Sequence, residues 1–335
     1  MSSAPTPAEI AADARWLAQA MDPASGNTRF VALTADAYRQ ESFLDDRLFQ
    51  SPRSFHPLPW DVAVAGLGEA RADARWIFHI GHVGSTLLSR LLGELPGVLS
   101  VREPRILRDL AGAGPSAEFF FPAVRQLLSR TFAKNETALV KATSFASEIA
   151  AELIGPNGRA LFVHVGPRPF LGACLAGENT MKEVMALAAL RLQRMAGRVT
   201  LGEIPDRPAF HVAAAWACEM TALEAAAEAL GDDAVQWLDF DRFLAAVPET
   251  LAGAADFLGF DAPADRFQAI GDGPLMGRYS KALEHEYSPG LRAALIVSAS
   301  AAHEADISGA LAMLNKAAQD SPLLARALER AHSER

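Results

Sequence analysis

Apolar and polar positions alternate in two regimes along this chain. From residue 75 onward, short continuous apolar runs are separated by longer stretches with helical spacing. The runs Trp76–Ile80, Val98–Val101, Ala138–Ala142, Ala160–Val165 and Val235–Phe240 predict five strands. Helices are predicted at about Ser85–Leu95, Ala117–Lys134, Thr143–Leu153, Glu178–Met195 and Pro208–Leu230. Apolar strands without a polar face, alternating with helices, predict a parallel sheet covered on both sides. Residues 1–74 differ. Pro7 to Met21 has helical spacing through Ile10, Ala14, Leu17 and Ala20, and a proline-rich stretch from Pro52 to Pro59 breaks regular structure. The expected layout is a helical or irregular lead-in over 1–74, an α/β domain over 75–295, and a helical extension over 296–335.

Composition narrows the picture. A chain of 335 residues with 50% hydrophobic content can bury a large core. Its net charge of −9 argues against a broad nucleic-acid surface, although a local anion site built from backbone amides remains open. Cys174 and Cys218 sit in apolar helical contexts without metal-ligand spacing, which reads as two buried thiols in a reducing compartment. The first residues lack the basic and apolar regions of a signal peptide, and no apolar run reaches the ~18 residues of a membrane span. A cytoplasmic location is expected. His79 and His82 have no acid or cysteine converging on them locally, so no metal is expected.

Chemistry concentrates where the first of the five strands ends. His79-Ile80-Gly81-His82-Val83-Gly84-Ser85-Thr86-Leu87 is a glycine-bearing loop that runs into two hydroxyl residues and a helix. Such a turn lets several N–H groups face one anion, and the helix dipole adds about half a positive charge. The lysine that completes a nucleotide-hydrolysing P-loop is missing, because Ser85 follows Gly84 directly. The residues favour phosphate binding over triphosphate hydrolysis. An ordinary helix start with Ser85 as its N-cap is the plain alternative.

Val83-Gly84-Ser85-Thr86-Leu87 resembles the lysine-free loop of the sulfotransferase family, Ser-Gly-Thr-Thr-Leu, with His82 where many members carry Lys or Arg. Four later segments keep the family's order. Arg102-Glu103-Pro104 ends the second strand, and the resemblance makes Glu103 the general base. Lys141-Ala142-Thr143 is similar to the Lys-Thr-His of cytosolic members, with Lys141 beside the transferring group and Thr143 replacing the histidine. Pro167-Arg168 aligns with the 3′-phosphate segment, although Val165 stands where its arginine belongs and Ala173 or the adjacent Cys174 where its serine belongs. Met276-Gly277-Arg278-Tyr279-Ser280-Lys281 resembles the closing segment over the nucleotide, which makes Arg278 and Lys281 candidates.

The resemblance implies a three-layer α/β P-loop-type fold with a central parallel sheet of about five strands and additional N- and C-terminal helices. It also implies transfer of a sulfuryl group from 3′-phosphoadenosine 5′-phosphosulfate (PAPS), without a metal, to a hydroxyl or amine on a small-molecule, glycan or lipid acceptor. Gly81, His82, Val83, Gly84, Ser85, Thr86 and Leu87 would form the cofactor loop, with Arg168, Arg278 and Lys281 around the nucleotide. Glu103, Lys141 and His82 would be catalytic. A P-loop kinase or other nucleotide-dependent transferase, and a non-catalytic nucleotide-binding protein on a decayed sulfotransferase fold, stay open beside it.

Overall fold

The computed structural model describes residues 3–278 and 288–333. Five parallel strands form the central sheet: β4 (Arg75–His79), β5 (Val98–Arg102), β6 (Thr137–Lys141), β7 (Arg159–His164) and β8 (Val235–Asp239), in the order β5-β6-β4-β7-β8. Each lies within one residue of its sequence-derived position at either end. β4 occupies the centre because every residue after Arg75 is buried, so both of its faces must be covered. From β4 the chain crosses to one side of the sheet and from β7 it continues on the other. Loops at the carboxyl end of β4 therefore open into the crevice where such sheets hold ligands.

Residues 1–74 depart from expectation. The helix there is short, Pro7–Ala12, capped by a reciprocal Thr6–Glu9 pair. Trp16–Asp22 is instead a strand, β1, which joins β2 (Asn27–Ala32) and β3 (Phe55–Pro59) in a separate antiparallel sheet. β1 is buried on both faces up to Met21, Gln19 included, so it lacks the alternation that marks a half-exposed strand. Its apolar residues imitate a helix.

Three buried arginines, Arg102 on the central sheet, Arg90 on a helix beside it and Arg130 at the end of another, tie this layer down through carbonyl oxygens. Arg102, at the end of β5, donates to the carbonyls of Tyr38, Arg39 and Glu41 and to Ser100 Oγ. Arg90 reaches the carbonyls of Arg39 and Gln40, and Arg130 those of Ile10, Asp13 and Trp16. Burial pushes the Arg102 and Arg130 guanidinium pKa values down, to about 9 and about 10. Each guanidinium nevertheless keeps several acceptors, which holds it charged at neutral pH.

Other helices shift more modestly. A helix at Arg105–Ala113 that the pattern does not predict packs against β1, with Asp109 accepting from the Met21 N–H. The expected Ala117–Lys134 helix is a 3-10 turn followed by Phe121–Ser129. Thr143–Leu153 likewise becomes a 3-10 turn, Ser144–Ile149, followed by Ala150–Ile154. The stretch 178–195 breaks at Leu187 into two helices. Pro208–Leu230 is as predicted. Cys174 and Cys218 are buried and unbridged, and burial pushes the Cys218 thiol up to about 12. Among the described residues no helix is long and apolar enough to cross a membrane, and no group of three or more His, Cys, Asp or Glu could hold a metal ion.

Candidate functional site

The loop after β4 is shaped by backbone signs. Gly81 and Gly84 have φ of +83° and +68°, and His82 between them is also left-handed at +54°. Gly84 is the N-cap of the helix Ser85–Leu92, and no side chain caps it. Ser85 is thus the first helical residue and not the cap, which leaves the leading N–H groups without a side-chain acceptor. Thr86 Oγ1 is buried with no hydrogen-bond partner. A buried hydroxyl normally finds one, so this cluster of donors is built for something that supplies acceptors. The anion reading gains over the plain helix start.

His79 pins the loop. Its Nδ1 accepts from the Gly81 N–H at 3.0 Å while its Nε2 donates to the Ala142 carbonyl at 2.9 Å. That pattern assigns the proton to Nε2 and occupies Nδ1, so the ring has no nitrogen to offer a substrate proton.

Glu103 has the other left-handed non-glycine backbone among the described residues, with φ +52°. It also precedes Pro104, a position that normally takes extended backbone. Holding such a conformation costs about 1–3 kcal/mol and needs surroundings that over-determine it. Here its N–H donates to the Lys141 carbonyl at 2.7 Å, and its carboxylate takes the Lys141 ammonium. Lys141 sits between Arg102 and Ile77 in register on β6, with its side chain 1% exposed. A buried lysine needs a counter-charge close by, and Glu103 is turned to supply it. Arg47, from the N-terminal layer, reaches the far carboxylate oxygen at 3.4 Å. The helix that follows begins at Arg105, and the Glu103 carboxylate points at Lys141 and not at that helix's leading N–H groups.

Two cavities meet here. The loop chamber, about 190 Å³, is lined by His82 to Leu87 with Lys141, Phe240, Arg278 and Arg292. An outer chamber of about 390 Å³ has one wall from residues 43–47 and another from Pro104, Arg105 and Arg108. His79, His82 and Glu103 line both. His82 Nε2 lies 3.6 Å from Glu183 across the outer chamber.

The structure brings Glu103, Lys141, His82, the loop 81–87 and Arg278 together. It does not bring Arg168. That guanidinium pairs with Glu304 on a separate cavity bounded by the C-terminal helices, so a 3′-phosphate role beside the loop finds no geometry there. Lys281 lies outside the described residues. Arg292 was missed by the sequence reading: its Nη1 bonds Asp241, its Nη2 is buried and unpartnered, and its guanidinium lies 5.5 Å from the centre of the Phe240 ring. Its only sequence signal is the Ser288-Pro289 helix start just before it. Phe240 itself lies on Gly84, where an added Cβ would fall 1.9 Å from the ring.

No protein-family model matches this chain, and no curated protein matches it. Among solved structures, the fold resembles bacterial sulfotransferase domains. The sulfotransferase domain from the curacin biosynthetic pathway is 12% identical with a TM-score of 0.40, covering 65% of this chain and 84% of that one. The sulfotransferase from Alicyclobacillus acidocaldarius is 16% identical with a TM-score of 0.39, covering 71% and 96%. The sulfotransferase domain of the Synechococcus PCC 7002 olefin synthase is 14% identical with a TM-score of 0.36, covering 69% and 94%.

Proposed function

We propose that this chain is a sulfotransferase-type enzyme that moves a sulfuryl group from PAPS, bound on the loop 81–87, to a hydroxyl or amine in the outer chamber. The observation that carries the reading is Glu103, a carboxylate held in a costly backbone conformation on the boundary between an anion-ready loop and a second cavity.

The residues divide the work by position. Ser85, Thr86 and the leading amides of the helix would hold the phosphosulfate end, and Arg278 and Arg292 supply positive charge in the same chamber. Glu103 accepts the proton of the acceptor O–H or N–H as the new bond to sulfur forms and the bond from sulfur to the donor phosphate breaks. Protonation of Glu103 cancels its charge, and Lys141 is then released to face the negative charge gathering on the departing phosphate. His82, on the boundary and near Glu183, orients the acceptor. Its Nε2 is the second proton-accepting group within reach.

A kinase reading has less behind it, since the loop lacks the P-loop lysine. Thermal shift with adenosine 3′,5′-bisphosphate (PAP), ADP, and ATP with magnesium separates the readings. PAP should raise the melting temperature more than either of the others, a ligand at about 100 times its Kd adding about 2.7 kcal/mol. A larger shift with ATP and magnesium overturns the PAPS assignment, and no shift with any of the three overturns every nucleotide-binding reading of the loop.

A further inference from the structure

The outer chamber is unusually charged for an acceptor site, and its charges can be balanced residue by residue. Asp45 is taken by Arg47, Asp46 by Arg29 and Arg105, Glu103 by Lys141 and Arg47, and Glu183 faces His82. Arg105 is engaged twice, by Asp46 and Asp109. Arg108 is left over. It lines the chamber, and among the described residues it forms no ion pair or hydrogen bond. Its contact is with the face of Phe145, 5.5 Å from the ring centre.

We infer that the acceptor is a compact polar molecule bearing an anionic oxygen group, a carboxylate or phosphate, which Arg108 grips while the molecule's hydroxyl or amine faces Glu103. A guanidinium forks onto either group, and that of Arg108 lies 5.5 Å from the Phe145 ring centre, a ring that Arg194 and Arg191 also approach, at 4.5 Å and 5.6 Å. Apolar surface in the chamber comes chiefly from Phe43 and Pro104, which is too little to hold a lipid tail or an aromatic ring system. A volume of about 390 Å³ stands near the low end for drug-sized ligands and suits a small hydroxy acid or sugar acid.

This inference rests on the proposed function only for the transfer step. The chamber's preference can be read without turnover. The probes are glucuronate and glycerol 2-phosphate, their neutral counterparts glucose and glycerol, and the apolar alcohols 2-naphthol and octanol. Each is titrated calorimetrically into the full chain with and without PAP. The two anionic probes should bind at least 10-fold more tightly than their neutral counterparts, and the naphthol and octanol should bind no better than glycerol. In Arg108→Gln the anionic preference should collapse to within about twofold, while the melting temperature stays within a degree or two of the parent.

If PAPS is also supplied, PAP release should show the same ranking as a difference in KM. Tightest binding by naphthol or octanol overturns the inference. An anionic preference that survives in both Arg108→Gln and Arg108→Ala overturns it as well, since Arg108 is then not the grip. Failure of PAP to bind would remove the transfer reading and leave the chamber result standing on its own titrations. Glucuronate and glycerol 2-phosphate distinguish a carboxylate from a phosphate source by which of them loses more affinity in the variant.

Discussion

The two chambers that meet at Glu103 are built in opposite ways. The loop chamber comes from the carboxyl ends of adjacent parallel strands and from the helix that follows one of them. Its key groups are therefore fixed by local chain geometry: two glycines, a helix start and the strand-end lysine. One wall of the outer chamber comes from residues 43–47 in the N-terminal layer, held in place by Arg102 and by the Leu44 N–H bonding the Arg102 carbonyl at 2.7 Å. A site can thus have one half dictated by consecutive sequence and the other by how two layers dock.

The boundary residue should show the largest effect. Glu103→Gln is expected to slow transfer by roughly 10²–10⁴-fold, the range for a positioned base, with PAP affinity little changed. It also leaves Lys141 buried beside a neutral group, so the unfolding free energy should fall by up to about 3–5 kcal/mol. Denaturant melts and PAP release measured on the same samples check both. Retention of most of the parent turnover would move the proton-accepting role to His82 and join the two chambers at another atom.

Arg102→Met probes the docked half. It strips several buried carbonyls of a charged donor, where each such bond contributes about 1.5–3 kcal/mol and the bonds are not additive. The expected loss is roughly 3–5 kcal/mol of stability, with acceptor KM rising at least 10-fold and PAP affinity moving less than threefold. Equal losses at both sites would mean that the chambers are not separately built.

Gly84→Ala tests the local half. The new Cβ meets the Phe240 ring in a left-handed backbone position, for an expected cost of about 1–3 kcal/mol and weaker PAP binding. The obstacle is the aromatic ring rather than lost room for a phosphate alone. A second change, Phe240→Leu, should therefore restore part of the stability, and calorimetry of the pair checks it.

Arg168→Ala should do least. Its pair with Glu304 is solvent-exposed and adds little to stability, and its cavity is separate from both chambers. PAP-to-ADP selectivity should change less than twofold by isothermal titration. A collapse of that selectivity would put the 3′-phosphate at the third cavity and extend the loop chamber to it.

The same division explains what was legible from sequence. The five parallel strands are short, mostly apolar runs separated by helical stretches, and the loop 81–87, Glu103 and Lys141 lie at their carboxyl ends. β1 was misread as helix because burial on both faces erased its alternation. Arg168 was drawn to the nucleotide by its Pro-Arg context, whereas its partner, Glu304, lies far along the chain. Arg292 enters the loop chamber from a helix more than two hundred residues after the loop, and no local pattern announces such a convergence. The charge balance that singles out Arg108 needs contacts between layers, which sequence spacing does not contain.

The arginine fastenings of the N-terminal layer have an evolutionary corollary. Arg102, Arg90 and Arg130 grip carbonyl oxygens, atoms that every amino acid presents alike. Arg39 and Gln40 can therefore drift in identity without loosening the seat that they occupy. Tyr38, buried with its hydroxyl donating to the Ala14 carbonyl, and buried Phe43 and Leu44 stay fixed, while the outer wall positions Asp45, Asp46 and Arg47 can be rewritten side chain by side chain. Because the wall's anchor and the proposed base are the consecutive residues Arg102 and Glu103, each rewritten wall is presented to the same carboxylate. A lineage on this scaffold could change what its outer chamber admits while the parallel sheet and the loop 81–87 stay untouched.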